Sequence, residues 1–245
     1  MDIKIIVAAH KEYDMPSDEM YLPVHAGAAI SGKELPYQRD DEGINISAKN
    51  KSWCELTALY WAWKNINADY IGLCHYRRYF KGKTGRWACK EELAEELSQK
   101  PVILPKKRNY YIETNYTQYI HAHHQEDLDL TRQIIAEQCP EYIPSWDSVM
   151  QKTIGHRFNM MIMHHDLLES YCNWLFEILE KLEQQLDISA YSDYDKRVFG
   201  FVAERLLDVW METNKVEYKE LSVYETESVN WIDKGWKFIK RKYAK

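Results

Sequence analysis

Short apolar runs that end in polar residues recur along the first half of the chain. Residues 3–9 form a β-branched run followed by a polar tripeptide that begins at His10, and residues 70–74 form a second run followed by His75. Continuous apolar runs of this length are typical of parallel strands that are buried on both faces. The pattern therefore predicts two buried strands, each with polar residues at its carboxyl end.

Apolar residues recur at helical spacing between and after these runs. Ser52 directly precedes the segment 53–65 and matches a capping box with Glu55. The aromatic side chains of this segment recur at helical spacing and predict a packing face. A helix between two buried strands is typical of an α/β fold with a mostly parallel central sheet flanked by helices. The same periodicities predict further helices over 90–99, 126–138, 166–186 and 195–213, and further strands over 102–104 and 158–163.

The connection over residues 13–47 is unusually long. It contains three prolines and three glycines, which favour turns. A connection of this length inside a folded domain is uncommon, so it is expected to carry function or to contain short strands.

Composition and charge narrow the class of protein. The chain has 245 residues, of which 45% are hydrophobic and 29% are charged, and its net charge is -6. This composition excludes disorder and collagen-like repeats, and the acidic balance argues against a nucleic-acid partner. The five cysteines are odd in number and form no C-x-x-C pair, which favours a reduced, cytoplasmic compartment.

The last fifteen residues differ from the rest of the chain. Residues 231–245 hold six Lys or Arg against Asp233 alone, interleaved with aromatic side chains, whereas the preceding sequence is acidic. Basic and aromatic residues in alternation suit the surface of an anionic membrane, although a solvated helix would have the same pattern. We therefore predict a domain over 1–230 and a separate basic aromatic tail over 231–245 that contacts the membrane peripherally.

The polar residues after the second run indicate an anion site. Tyr76, Arg77 and Arg78 follow His75 at the predicted carboxyl end of this strand. Ligands of open parallel sheets bind at that edge, and guanidinium groups match phosphate oxygens in a bidentate manner. These residues predict a diphosphate ligand, against the alternative of two surface arginines that simply follow a strand.

Two further clusters of polar residues carry weaker signals. His121, His123, His124 and Asp127 have the side chains of a metal site but lack its regular spacing, so no metal ligand is assigned. Arg197 and Glu204 are seven residues apart and would face the same side of a helix. No P-loop, nucleophile elbow or dinucleotide-binding glycine motif occurs.

Two strings of the sequence are especially specific, Cys-Glu-Leu-Thr-Ala-Leu-Tyr-Trp at 54–61 and His-Tyr-Arg-Arg-Tyr-Phe at 75–80. With them the sequence resembles a bacterial family of capsular and exopolysaccharide glycosyltransferases, long catalogued only as a domain of unknown function and associated with galactofuranosyl transfer. The resemblance covers nearly the whole chain and also includes residues 45–47, 72–74, 159–160, 171–176, 197–201 and 204–206.

The resemblance implies a single GT-A-like α/β domain that transfers a sugar, with UDP-galactofuranose as the expected donor. The acceptor would be a growing capsule, exopolysaccharide or O-antigen glycan, or a lipid-linked oligosaccharide. Many GT-A enzymes hold the donor diphosphate through an Asp-x-Asp motif and a divalent metal. Here Arg77 and Arg78 stand after the corresponding strand, so we expect them to replace the metal charge and no cofactor to be needed, with a divalent metal left open.

The same resemblance implies roles for individual residues. The base that deprotonates the acceptor hydroxyl is expected among Asp193, Asp195, Glu204 and His75, and the sequence does not choose between them. The expected donor-binding residues are His10, Lys11, Asn50, Glu55, His75, Tyr76, Arg77, Arg78, Arg197 and Arg205.

Two other functions remain open at this point. A noncatalytic protein that binds a carbohydrate or nucleotide within a polysaccharide assembly complex would use the same surfaces without chemistry. A histidine-rich metallohydrolase would instead require stoichiometric zinc or iron. The transferase and the noncatalytic binding protein would both be cytoplasmic and would contact the inner face of the cell membrane through the basic tail.

Overall fold

A nine-stranded mixed sheet forms the centre of the computed structural model, which describes residues 1–227. A separate two-stranded ribbon, β7–β8, lies beside it. The strands span Ile3–Ala9 (β1), Tyr21–His25 (β2), Gln38–Arg39 (β3), Tyr70–His75 (β4), Arg78–Phe80 (β5), Val102–Pro105 (β6), Arg108–Asn109 (β7), Ile154–Gly155 (β8), Met161–His164 (β9), Lys219–Leu221 (β10) and Val223–Glu225 (β11).

The sheet has the order β10-β6-β9-β4-β1-β2-β3, and β5 pairs with β4 and β11 at its margin. Strand β1 runs parallel to β2 and β4, and β6 runs parallel to β10. Strand β9 is antiparallel to both of its neighbours, so six of the seven strands along this path share one direction. The predicted mostly parallel central sheet is therefore confirmed.

Helices cover both faces of the sheet. Ile6 and Ala8 of β1 pack into one buried cluster, while Ile5 and Val7 pack into another on the opposite face. Each large apolar side chain buried in this way contributes roughly 1.5–3 kcal/mol to folding. The helices span Ala28–Ser31 (α1), Asn50–Trp53 (α2), Leu56–Asn65 (α3), Lys90–Leu97 (α4), Asn115–Ala122 (α5), Gln125–Gln138 (α6), Ile143–Gln151 (α7), His165–Gln185 (α8) and Val198–Thr213 (α9).

The predicted capping box at Ser52 and Glu55 is wrong. The helix breaks at Cys54, whose φ of 52° and ψ of -131° are incompatible with a helix, and it restarts as α3. Ser52 donates its hydroxyl to the carbonyl of Lys49, whereas the Glu55 carboxylate accepts a hydrogen bond from the amide of Asn159. Tertiary hydrogen bonds have therefore overridden the local capping pattern.

The long connection over residues 13–47 contains the short strands β2 and β3 and the turn of helix α1. Its polar centre is Asp40, a fully buried carboxylate. Asp40 accepts hydrogen bonds from the backbone amides of Gly27 and Ala28 at 2.8 and 3.0 Å and from the Thr57 hydroxyl at 2.7 Å. These bonds attach the connection to α3 and fix the turn that follows β2.

The predicted tail over 231–245 and the predicted boundary at residue 230 lie outside the described residues. Among helices within residues 1–227, none is long and apolar enough to cross a membrane.

Candidate functional site

A cavity of about 450 Å³ opens at the carboxyl ends of β1 and β4. Strand β2 lies on one side of β1 and β4 lies on the other, so the strand order reverses at this point. Such a switch point is where open α/β sheets bind ligands. The cavity is lined by Ala8, Ala9, His10, Ala26, Asn50, Lys51, Cys54, Glu55, His75, Tyr76, Arg77, Arg78, Phe158, Arg197, Gly200, Phe201 and Glu204.

The lining carries a positive charge although the chain is acidic. Four cationic side chains face two carboxylates, those of Glu55 and Glu204. Burial lowers the pKa of His10, and nearby Lys11, Arg77, Lys33 and Arg197 lower it further. His10 is therefore neutral at neutral pH, and the cations around it create a potential that favours an anion.

Arg78 is the most buried of the cavity arginines. Its guanidinium lies 4.4 Å from the centre of the Phe158 ring, and its Nε is 3.8 Å from a carboxylate oxygen of Glu225. Burial lowers the pKa of Arg78, and Arg77 and Arg108 act in the same direction. Within residues 1–227, Arg78 Nε makes no hydrogen bond. A desolvated cation with an unused donor is suited to an anionic ligand.

Arg77 has a carboxylate partner in this structure. Its Nη1 donates to the Glu227 carboxylate at 2.9 Å, and its guanidinium stacks 4.9 Å from the centre of the Tyr76 ring. Glu227 follows β11, which pairs with β5 and thereby holds this acid next to the cavity. An anion already occupies one face of Arg77.

Phe158 and Asn159 form a turn that fixes three polar residues of the cavity. Both have positive φ, 77° and 53°, which is uncommon for a residue as bulky as phenylalanine. His75 Nε2 donates to the Phe158 carbonyl at 2.5 Å, and the Phe158 amide donates to Glu204 at 3.0 Å. The Asn159 amide donates to Glu55 at 2.7 Å. The strand predicted over 158–163 therefore begins only at Met161, because these bonds hold the turn outside the sheet.

Most of the predicted site residues lie together in this cavity. Asn50 lines the cavity, and its side-chain amide donates to the Cys54 carbonyl at 2.7 Å and to the Thr57 hydroxyl at 3.0 Å. The predicted residues that line the cavity are His10, Asn50, Glu55, His75, Tyr76, Arg77, Arg78, Arg197 and Glu204.

Four predicted site residues lie outside the lining. Lys11 stacks on Tyr13, with its Nζ 4.8 Å from the ring centre. Arg205 is buried behind the cavity, where it donates to Gln118 at 2.7 Å and to Glu204 at 3.0 Å. The remaining two are Asp193, which is exposed, and Asp195. Arg205 thus contacts the cavity through Glu204 and does not face it.

The histidine cluster over 121–124 is divided between separate partners. His121 Nδ1 lies 2.6 Å from a Glu113 oxygen, and His123 Nδ1 lies 3.3 Å from an Asp195 oxygen. The His123 ring also stacks on Phe201 at 4.2 Å. Within the part of the chain that the structure describes, no group of three or more His, Cys, Asp or Glu side chains is arranged to hold a metal ion.

His123 is expected to make stability depend on pH. Burial lowers the pKa of His123 from 6.5 to about 4, although the hydrogen bond that its ring makes to the Asp195 carboxylate acts to raise this pKa. Between these values the unfolded chain binds a proton that the folded protein does not, so stability falls as the pH falls. We expect the free energy of unfolding to decrease by about 1.5 kcal/mol between pH 6.5 and 5 through this group. Urea unfolding measured across this range checks the prediction.

The control is His123→Gln, measured over the same pH range beside His121→Gln. Removing His123 should flatten the pH dependence, whereas removing the more exposed His121 should leave most of it. Equal slopes for the wild-type protein and His123→Gln would contradict the assignment.

The protein has a glycosyltransferase fold, as a comparison with a solved structure shows. A solved structure described as the apo form of the WbbM bifunctional glycosyltransferase matches with a TM-score of 0.87 and 29% sequence identity. The match covers 93% of this chain and 46% of that chain, so this chain spans less than half the length of that protein. A search of curated proteins gives no match.

The chain belongs to the family described as "Domain of unknown function (DUF4422)", whose model matches residues 4–215. The predicted family of unknown-function domains with a glycosyltransferase fold is therefore confirmed. The galactofuranosyl association remains a prediction.

The sequence pattern does not predict Cys54 and Phe158 as residues of the cavity lining, or Asn159 as the partner of Glu55. It predicts a strand at Phe158 and Asn159 and a helix at Cys54. Asn159 carries a weak signal, because asparagine adopts positive φ more readily than most residues. Cys54 and Phe158 carry none, because their conformations depend on partners distant in sequence.

Proposed function

We propose that this protein is a glycosyltransferase that transfers galactofuranose from UDP-galactofuranose to a growing cell-surface polysaccharide or lipid-linked oligosaccharide. The observation that carries the proposal is the positively charged cavity at the carboxyl ends of β1 and β4, with Arg77, Arg78 and Arg197 in its lining. The family and the structural neighbour support the class of reaction. In the proposal, the basic tail over 231–245 holds the protein at the inner face of the membrane.

The cavity offers distinct environments for the parts of a nucleotide sugar. The nucleoside would lie at the ends of β1 and β2. His10 follows β1, Ala26 follows β2, and Asn50 of α2 packs beside them against Gly27. Arg77 and Arg78, beyond β4, would hold the diphosphate, because guanidinium groups donate pairs of hydrogen bonds to phosphate oxygens. The sugar would then extend toward Glu55 and Glu204.

Transfer breaks the bond between the anomeric carbon and the diphosphate and forms a bond from that carbon to the acceptor oxygen. The bonding electrons pass to the diphosphate, where the arginines stabilise the developing charge. The acceptor hydroxyl must lose its proton to a base. We assign this role to Glu204, because among the four candidates only Glu204 and His75 line the cavity, and His75 Nε2 is engaged by the Phe158 carbonyl.

The residues of the cavity do not fit a divalent metal held by an Asp-x-Asp motif. The lining holds no aspartate, and its two carboxylates, Glu55 and Glu204, belong to different segments of the chain. Within residues 1–227 no group of three or more His, Cys, Asp or Glu side chains is arranged to hold a metal ion. We therefore propose a reaction in which the arginines supply the positive charge.

Ligand-induced stabilisation tests the donor assignment. A ligand that binds only the folded state raises Tm by mass action. Tm and calorimetric binding are measured with UDP, UDP-galactopyranose and UDP-galactofuranose, each with EDTA and with Mn²⁺. We expect stabilisation in EDTA, strongest with UDP-galactofuranose, and release of UDP from that donor.

Each other outcome removes one part of the proposal. Absence of any response to uridine nucleotides would overturn the donor, and a response that requires Mn²⁺ would overturn the role of the arginines. Binding without hydrolysis or transfer in the presence of an acceptor panel would favour the noncatalytic carbohydrate- or nucleotide-binding protein.

Glu227→Gln is expected to tighten UDP binding by up to about fivefold. The carboxylate competes with the diphosphate for Arg77, but both side chains are about half exposed, so the pair is worth at most about 1 kcal/mol. Calorimetric titration with UDP measures the change. Glu95→Gln breaks the similarly exposed pair with Lys83 away from the cavity and should leave binding unchanged. Weaker binding in Glu227→Gln would contradict the competition.

A further inference from the structure

An exposed aromatic ring lies next to the cavity at its α9 end. Tyr194 is 50% exposed, and its ring centre is 5.3 Å from that of Phe201, which lines the cavity. The ring of His123 stacks against both, at 5.6 Å from Tyr194 and 4.2 Å from Phe201. The His123 side chain is only 8% exposed and supports the two other rings from the protein side. Tyr194 and Phe201 therefore form the surface, here called the aromatic platform, that leads from solvent to the cavity, and the Arg197 guanidinium lies 5.8 and 5.3 Å from their ring centres.

The segment that carries Tyr194 is held at several points. Asp195 accepts a hydrogen bond from the Ser192 hydroxyl at 2.6 Å and contacts His123. The Tyr191 hydroxyl donates to the buried carboxylate of Asp127 at 2.8 Å, and the His124 ring stacks on Tyr191 at 3.9 Å. The backbone that carries Tyr194 is therefore held in place before any ligand binds, which lowers the entropic cost of binding.

The aromatic platform and the proposed nucleoside site lie at opposite ends of the cavity. Ala26 follows β2, Phe158 precedes β9, and β1 and β4 lie between them, so three strand spacings separate the two ends by about 14 Å. Asn50 packs against Gly27 at the β2 end and donates to the Cys54 carbonyl, and Arg197 donates to Cys54 Sγ, so the two parts of the cavity meet at Cys54. Glu204 belongs to the β9 end, because it accepts a hydrogen bond from Phe158.

Phe201 and Glu204 are three residues apart on α9, so they lie on the same helix face, and both line the cavity. A group that packs on the platform would therefore lie next to the carboxylate that we assign as the base. Sugar rings present C–H groups on their faces and hydroxyls at their edges. A flat aromatic side chain packs against the C–H groups on the face of a sugar ring and leaves the hydroxyls at its edge free to reach Glu204.

We propose that Tyr194 and Phe201, supported by the buried ring of His123, form the acceptor subsite, where a sugar ring of the acceptor stacks on Tyr194 and directs a hydroxyl toward Glu204. This inference rests on the proposed function, because it takes the opposite end of the cavity to hold the donor. The acceptor would be a glycan that the protein recognises through the face of one of its sugar rings.

Binding of simple glycosides tests the subsite separately from the donor site. The probes are the octyl β-glycosides of galactose, glucose, mannose and N-acetylglucosamine, measured by saturation-transfer NMR in the presence of saturating UDP. We expect at least one to bind the wild-type protein through its ring protons. Tyr194→Ala should weaken this binding by about three- to tenfold, while UDP binding remains unchanged.

Two variants complete the test. Tyr194→Trp retains a flat ring and should retain glycoside binding, whereas Tyr111→Ala removes a more exposed tyrosine elsewhere, at 81% exposure, and should have no effect. Failure of all four glycosides to bind a protein that binds UDP would overturn the subsite and leave the donor assignment standing. Equal glycoside binding by Tyr194→Ala and wild type would also overturn it. Failure of the wild-type protein to bind UDP would instead overturn the proposed function.

Discussion

Arg78→Met is expected to abolish detectable UDP binding and to lower kcat/KM by about 10²- to 10³-fold, the usual cost of removing one donor from a site that stabilises developing negative charge. Methionine keeps the unbranched alkyl chain but has no guanidinium group. The Arg78 guanidinium packs on Phe158 at the cavity wall, and its Nε has no hydrogen-bond partner within residues 1–227. Because Nε is buried beside Glu225, the terminal Nη groups of the guanidinium would donate to the diphosphate oxygens.

The same substitution should leave the protein as stable as the wild type, or more stable. Arg78 is partly desolvated, and Arg77 and Arg108 repel its charge, so the folded apo protein gains little from the guanidinium. A residue that is costly for stability and valuable for binding is typical of a functional site. Thermal unfolding without ligand and with UDP-galactofuranose separates these two effects.

Arg86→Met is the matched control, because Arg86 is exposed and lies outside the cavity lining. It should preserve both the UDP-induced rise in Tm and the activity. Arg78→Lys should recover only part of the binding, since an ammonium group cannot donate a bidentate pair. An undiminished rise in Tm with UDP in Arg78→Met would show that this guanidinium does not hold the diphosphate.

The predicted strands β1 and β4 agree with the structure because both faces of each strand are buried. Ile5 and Ile6 point into different apolar clusters, so every position of β1 except Lys4 is apolar and the run can be recognised without its partner strands. Strand β2 lacks this signal. It contains Pro23, which pairs with Val7 of β1 at a position where β3 does not reach, so its missing amide leaves no partner unsatisfied.

The part of the site that was predicted lies at strand ends and on one helix face. His10 follows β1 and His75 ends the adjacent parallel strand β4, so the strand pattern brings these two residues together. Arg197 directly precedes α9 and lies seven residues before Glu204, and both line the cavity. The turn at Phe158 and Asn159 depends on His75, Glu204 and Glu55 instead. These residues are distant in sequence, and the hydrogen bonds that they form could not be predicted from the pattern.

The failed capping box has a consequence for the site. A glutamate that caps its own helix would be unavailable to a ligand, whereas Glu55 lines the cavity and accepts a hydrogen bond from Asn159 through one oxygen. The break at Cys54 makes this possible by turning the chain between α2 and α3. Arg197 Nε donates to Cys54 Sγ at 3.3 Å, and burial raises the pKa of this thiol to about 11. Cys54 therefore positions Arg197 as a neutral thiol.

Glu204→Gln is expected to lower kcat by about 10²- to 10⁴-fold, the usual contribution of a positioned general base, with UDP affinity unchanged. The carboxylate accepts hydrogen bonds from the Phe158 amide and from Arg205, both at 3.0 Å, which fix its orientation in the cavity wall. The single glutamine oxygen can accept from Phe158 but not also from Arg205, so the variant loses the ion pair with this buried arginine and is expected to be less stable. The UDP-induced rise in Tm therefore serves as the check that it is folded and binds the donor. What it loses is the ability to take a proton from the acceptor hydroxyl.

The choice between candidate bases is made by comparing variants under one set of conditions. Glu212→Gln changes a carboxylate two turns further along α9, where it binds Ser148 and Lys152 outside the cavity, and should retain activity. Asp193→Asn and Asp195→Asn should retain most of kcat, because neither side chain lines the cavity. If His75→Gln removes kcat while Glu204→Gln keeps it, the base is the imidazole, and Glu204 acts only by fixing the Phe158 turn. Loss of kcat in Glu204→Gln together with unchanged UDP-induced stabilisation would instead place proton transfer at the end of the cavity next to Tyr194 and Phe201.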